Sequence, residues 1–322
     1  MTSASARRAA PLVGLLCAML AFGQSRMENS PPGSSKTQAP PTLSVDVDLV
    51  LLNATVTDTQ NRHVTGLGKN NFQVWEDKIE QEIQYFSAED IPLSVGIIFD
   101  ISGSMKDKLT AARAAASTFL RMGDRDDEYF LVEFSNSPRL AENFTTDVSK
   151  LQSRLLFTRA NGLTSLWDAL YLGLAQVGRG SNARKALLLI TDGEDNHSRY
   201  SFSDVREFAR EHDVQIYSIG IVDDGNPQGS GYRGRAVLED LANLTGGRAF
   251  FPPSVYDLES ICAQIGVDLK NQYVLGYRSL NHSNDGKWRK IQVKINRVQG
   301  MPRLNVRAKT GYYASALAKV IK

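Results

Sequence analysis

Cysteine and histidine are scarce in this chain, with two Cys and four His among 322 residues. Cys17 falls inside an N-terminal apolar run, so Cys262 stands alone in the remainder and no internal disulfide can form there. His63, His197, His212 and His282 are scattered, which with a single remaining thiol argues against a zinc site. A charge excess of either sign is missing too: 37 Lys and Arg face 35 Asp and Glu, so no global field draws the chain to nucleic acid or anionic lipid. Neither a Gly-x4-Gly-Lys-Ser/Thr loop nor a Gly-x-Ser-x-Gly elbow occurs, which removes P-loop nucleotide chemistry and the common serine hydrolases. No internal repeat is visible. At 42% hydrophobic and 22% charged residues, the composition is that of a globular protein able to bury a sizeable core.

The N-terminus reads as an export signal over residues 1–23. Arg7 and Arg8 precede an apolar run from Ala9 to Phe22, and Ala21-Phe22-Gly23 gives a small-x-small cleavage pattern. The run falls short of the roughly 20 residues that span a bilayer, so no membrane span is expected after its removal. Cleavage takes away two Arg and no acid, leaving 35 bases against 35 acids. Export without disulfides fits a bacterial periplasm or cell surface. Residues 24–43, rich in Pro, Ser and Thr, read as a flexible linker. Cys17 lacks the small preceding residue of a lipid-anchored cysteine, and Cys262, beside Ile261 and Ile265, reads as core packing.

The remainder changes pattern twice. Residues 44–90 read as short strands with one apolar face: Val45, Val47, Leu49 and Leu51 alternate, and then the phase slips to Leu52, Ala54 and Val56, which suggests a bulge. Further strands are expected at 72–75 and 83–86, with a turn at Glu76-Asp77-Lys78. Matching strands recur at 272–277, 287–295 and 303–306, so both ends are expected to build one antiparallel β-sandwich over 44–90 and 270–315. Between them, residues 91–269 alternate near-continuous apolar strands (93–99, 128–134, 186–190, 214–221) with helices (106–121, 166–177, 203–211, 237–244, 257–269). That is the pattern of an α/β domain with a doubly wound, mostly parallel sheet covered on both faces, inserted in the sandwich.

In such sheets ligands sit beyond the carboxyl ends of the strands. The first strand ends in Asp100-Ile101-Ser102-Gly103-Ser104-Met105, with oxygen side chains at alternate positions, and the ALLLI strand ends in Thr191-Asp192-Gly193-Glu194-Asp195. Gly162-Leu163-Thr164-Ser165-Leu166 adds hydroxyls at a helix start. Asp100, Ser102, Ser104, Thr164 and Asp192 make an all-oxygen set suited to a hard divalent cation, Mg²⁺ or Mn²⁺. Each piece alone also fits a helix cap or a tight turn; their occurrence together, in order, favours the metal.

Together DISGSM, GLTSL and ITDGED resemble the metal-ion-dependent adhesion site of von Willebrand factor type A domains. The resemblance implies that Ser102, Ser104 and Thr164 give hydroxyls to the metal, that Asp100 and Asp192 act mainly through bound waters, and that an Asp or Glu of a partner completes the shell. It also implies that the last helix, 257–269, can shift. The flanking GLGKNNFQVWEDKIEQEIQYF, YVLGYRSLN and TGYYA resemble the narrower secreted group of VWFA-related acidobacterial proteins.

The resulting expectation is an exported, cation-dependent binding or adhesion module, without enzymatic activity, whose partner is a protein or peptide with an exposed acid. The competing readings are a structural envelope protein with a fold-stabilising metal and a metal-dependent hydrolase; against the latter, D-x-S stands where a phosphatase has D-x-D. Asp168 is expected to support the helix start, and Glu194, Asp195 and His197 to rim the partner surface. Arg199, Tyr200 and the Gly-rich loop 224–235 are expected to be exposed. Asn53, Asn143, Asn196, Asn243 and Asn281 head N-x-Ser/Thr sequences, which matter only in a eukaryotic secretory route.

Overall fold

The computed structural model describes residues 49–192, 195–221, 230–297, 300 and 302–314, with the side chains of 230–233 excepted. The expected leader and linker, Cys17, Gly193, Glu194 and most of the Gly-rich loop lie outside the described residues. The described elements all belong to the unit Val47–Lys322.

Strand β1 (Leu49–Thr57) turns Val50, Leu52, Ala54 and Val56 towards the core and leaves Leu49 and Leu51 exposed. The expected phase slip is therefore absent. One alternation runs through the whole strand, and its register against Gln272–Arg278 is unbroken from Leu49↔Arg278 to Thr55↔Gln272. Leu49 and Leu51 lie with Tyr85 over Gly276 on the outer face, so they read as apolar without being core. Strands β2 (Phe72–Glu76) and β3 (Ile79–Gln81) form a hairpin whose turn residues, Asp77 and Lys78, both have positive φ, 46° and 73°. Strand β4 (Ile83–Ser87) follows.

The middle of the chain supplies β5 (Leu93–Asp100), α1 (Leu109–Arg121), β6 (Glu128–Phe134), β7 (Pro138–Thr145), α2 (Val148–Phe157) and α3 (Leu166–Val177). It continues with β8 (Arg184–Thr191), α4 (Phe202–Glu211), β9 (Gln215–Gly220), α5 (Ser230–Thr245), β10 (Ala249–Phe250) and α6 (Leu258–Lys270). These strands form one sheet in the order β10-β9-β8-β5-β6-β7, parallel except for β7 at the edge. All eight residues of β5 are buried, because the strand is paired on both sides and covered on both faces. Val95, Ile97 and Phe99 join the core under α1 and α6, and Ile98 joins the one under α3. Cys262 is fully buried on α6, where desolvation pushes its thiol up to about 12 and leaves it packed and protonated.

The chain then returns through β11 (Gln272–Arg278), β12 (Trp288–Ile295), β13 (Asn305–Arg307) and β14 (Gly311–Tyr313). Two four-stranded antiparallel sheets result, β13-β1-β11-β4 and β14-β12-β2-β3, each mixing strands from before and after the α/β region. They share a core in which Leu52, Ala54 and Val56 meet Phe72, Val74, Tyr273, Leu275 and Ile291. Among the described residues, no helix is long and apolar enough to cross a membrane.

A buried charge cluster ties the sandwich to the inserted domain. Asp268 on α6 is fully buried; Arg307 of β13 donates to its Oδ2 at 2.6 Å, and His63 Nε2 approaches its Oδ1 at 2.6 Å without hydrogen-bond alignment. Removing one member strands the others in a poorly solvated place. We predict that Asp268→Asn lowers unfolding stability by about 3 kcal/mol in urea titration, and a loss under about 1 kcal/mol would mean that solvent already screens the cluster.

Candidate functional site

The sheet order creates the crevice. From β5 the chain crosses to β6 on one side, and β8 lies on the other, so the winding reverses between β5 and β8. Loops diverge at such a point and leave a depression at the carboxyl ends of the two strands. Asp100 is the last residue of β5, and Asp192 directly follows β8.

Asp100 is fully buried, and both of its oxygens accept hydrogen bonds. The Ser102 amide donates to Oδ1 at 2.8 Å and the Thr191 hydroxyl to Oδ2 at 2.6 Å. Ser102 and Ser104 sit in the following turn with hydroxyls 3.0 Å apart, Ser102 buried and Ser104 exposed. Asp192 is buried, and its Oδ1 has no hydrogen-bond partner among the described residues. Its Oδ2 lies 3.5 Å from Lys108 Nζ. Burial lifts the Asp100 carboxyl to about 6 against the lowering effect of the Ser102 and Thr191 hydrogen bonds, and the Asp192 charge adds to the rise. The two buried carboxylates are thus only partly compensated, and three hydroxyls stand on the adjoining loops. That donor set fits a hard divalent cation; among the described residues no three His, Cys, Asp or Glu side chains group as a metal cluster.

The third loop is sewn to the first. Gly103 N donates to Gly162 O and Asn161 N to Ile101 O, at 2.9 and 2.8 Å. Gly162 has φ +85°, a conformation that costs glycine little, and a Cβ there would meet Asn136. Asn136 Oδ1 accepts Leu163 N at 2.7 Å and Asn196 Oδ1 accepts Thr164 N at 2.8 Å, so two carboxamides hold the successive amides that lead into the buried Thr164. The structure therefore brings the loops carrying all five sequence-selected residues to one end of the sheet.

Several of the residues around them hold the loops and the start of α3 in place. Asp195, half-buried, has a structural role: its Oδ1 accepts Leu166 N at 2.8 Å and the Ser198 hydroxyl at 2.5 Å, which caps α3. Asp168, buried on the first turn of α3, accepts the amides of Arg199 and Tyr200, both at 2.9 Å, and so holds the loop after β8. His197 is exposed and its amide binds Thr164 O. Arg199 and Tyr200 are exposed as expected. Thr191, Asn136, Asn196, Ser198 and Lys108 were not singled out for the site. Asn196 carried a signal only as the head of N-x-Ser, whereas Thr191 stood in view beside Asp192. A Gly-x-Gly-x-x-Gly spacing at Gly229, Gly231 and Gly234 is no dinucleotide loop, because it does not follow directly on a strand: β9 ends at Gly220.

Residues 94–264 match the family model of the von Willebrand factor type A domain, slightly more than half of the chain. The chain belongs to the von Willebrand factor type A family. The fold is similar to that of a von Willebrand factor type A protein from Catenulispora acidiphila, at 12% identity and a TM-score of 0.50, over 85% of this chain and 74% of that one. It is also similar to the vWF domain of the type V pili tip protein Mfa5 from Porphyromonas gingivalis, at 14% identity, a TM-score of 0.46 and 56% and 97% coverage. The PilB minor pilin from Streptococcus sanguinis gives 15% and 0.47 over 57% of this chain, which spans 63% of the pilin chain. No match to a curated protein was found. At these identities the likeness is one of fold.

If Asp195 caps α3, Asp195→Ala in the type A domain lowers stability by about 1 to 2 kcal/mol, read by chemical denaturation. Asp195→Asn, which keeps an accepting oxygen, recovers most of the loss; equal losses in the two variants would contradict a capping role.

Proposed function

We propose that the protein is an exported binding module in which a divalent cation, Mg²⁺ or Mn²⁺, held at the ends of β5 and β8 captures an acidic group of a protein or peptide partner. The observation that carries this reading is the buried Asp192 Oδ1 without a partner among the described residues, beside a fully buried Asp100 and a hydroxyl pair 3.0 Å apart. Ser102, Ser104 and Thr164 would give the cation neutral hydroxyls. Asp100 and Asp192 would balance its charge largely through waters.

Neutral hydroxyls as direct donors would leave the cation electrophilic, so a carboxylate from outside is the natural last ligand. The residues of this chain do the positioning. The Asp100 oxygens, fixed by Ser102 N and Thr191 Oγ1, set the floor of the site. The Asn136 and Asn196 bonds set the height of the Thr164 loop. The Asp100 bonds weigh against the hydrolase reading, since both of its oxygens are committed as acceptors and neither is presented as a nucleophile. Membership in the type A family supports a binding role without naming the partner.

The test is calorimetric titration of Mg²⁺ and Mn²⁺ into chelator-treated protein, with thermal melts of each variant. Saturable one-site binding in the wild type, lost in Asp100→Ala and Ser102→Ala while both remain folded, is the expected result. Absence of binding in the wild type, with and without a carboxylate such as acetate, would overturn the metal reading. Metal binding with no acceptance of a carboxylate would leave the structural-envelope reading.

A further inference from the structure

We infer that Lys108 is a specificity-determining residue of the metal centre, a built-in counter-cation that weakens the hold on the metal and strengthens the hold on an acidic ligand. The inference rests on the metal reading above. Lys108 stands at the start of α1, eight residues past Asp100, and its side chain is 28% exposed. Its ammonium donates to Ile221 O at 3.1 Å and lies 3.5 Å from Asp192 Oδ2. Ile221 N is bound in turn to Thr191 O at 2.8 Å, so the ammonium is docked between the ends of β8 and β9. Its position is fixed by the backbone and is no accident of a long side chain waving over a carboxylate.

The two oxygens of Asp192 are thus divided. Oδ2 faces Lys108, and Oδ1 is buried without a partner among the described residues. A dication placed at the site shares its carboxylate with an ammonium, and like charges that close repel. For tight metal binding alone, Lys108 is the wrong residue. For capture of an acid it is the right one: two carboxylates, an ammonium and a dication leave one net positive charge, which a partner's carboxylate neutralises. Without Lys108 the loaded site is formally neutral and attracts an anion less. Among the described residues, the other nearby cations do not duplicate this role: Arg199 pairs with Asp168 at 3.5 Å, and Lys106 is exposed.

The experiment compares the wild type with Lys108→Met, Lys108→Arg and the remote control Lys185→Met, whose native ammonium binds Gly178 O at the far end of β8. Mg²⁺ is titrated alone, and acetate is then titrated into Mg²⁺-loaded protein, with a thermal melt of each variant. Lys108→Met is expected to bind Mg²⁺ about tenfold tighter and acetate about tenfold weaker, while Lys108→Arg and Lys185→Met stay near wild type. These opposite signs separate an electrostatic role from a structural one, because a loosened site loses affinity for both. Unchanged or weaker Mg²⁺ binding in folded Lys108→Met overturns the inference, as does tighter Mg²⁺ binding with unchanged acetate affinity. A wild type that binds no Mg²⁺ even with acetate takes down the metal reading itself. A wild type that binds both, with a silent Lys108→Met, removes only the role of Lys108.

Discussion

Two carboxylates carried by adjacent strand ends into one buried crevice are the constraint around which the upper half of this molecule is arranged. Burying two carboxylates side by side is costly unless other groups compensate them. The chain answers at short range: the Ser102 amide and Thr191 hydroxyl on Asp100, and the Lys108 ammonium beside Asp192. The compensation is incomplete, since the Asp100 carboxyl is still raised to about 6. The positive charge this arrangement still calls for is what the proposed cation would supply, with the hydroxyls of the neighbouring loops as its neutral donors.

The surrounding polar side chains serve the backbone. Asp195, Ser198, Asp168, Asn136 and Asn196 each accept amide protons from a loop or helix start at that end of the sheet. None of these bonds reaches into the crevice. Their common effect is to hold the turn at Gly162 and the start of α3 beside the DISGS turn. Preorganisation of this kind is what the proposed cation site would need, because weak neutral ligands cannot pull loose loops into place.

How much was legible in the sequence follows from the same division. Strand β6 and helix α3 fall on the residues expected, because an apolar run between turn signals and a helical stripe are each unambiguous. The motif residues were legible because their spacing alternates along a turn. Helix α2 was missed: only Leu151 and Leu155 are buried, and Leu156 and Phe157 at its end are exposed, so no stripe stands out. The bulge expected near Leu51 failed for a related reason. Leu49 and Leu51 are apolar because they cover Gly276, and a single sequence does not distinguish a residue lying over a neighbour's bare backbone from one in the core. Strands β3 and β14, three residues each, are too short to carry a period. The Asn196 bond to Thr164 N spans 32 residues, and nothing local marks such a partnership.

The insertion itself has a mechanical consequence that turns on α6. The helix packs Leu258, Cys262, Ile265 and Leu269 into the core it shares with α1, and apolar contacts of that kind tolerate sliding by small steps. Asp268 does not. Its carboxylate is buried between Arg307 and His63, both of which belong to the antiparallel sheets or their loops, and Arg184 binds Leu269 O one residue later. An axial shift of α6 has to part Asp268 from Arg307 while the charge remains buried, at a cost of several kcal/mol. Here the sheets built from both ends of the chain grip that helix by a charge cluster, so the position of α6, and through its packing against α1 the DISGS turn above, is set by the sandwich as much as by the domain it carries.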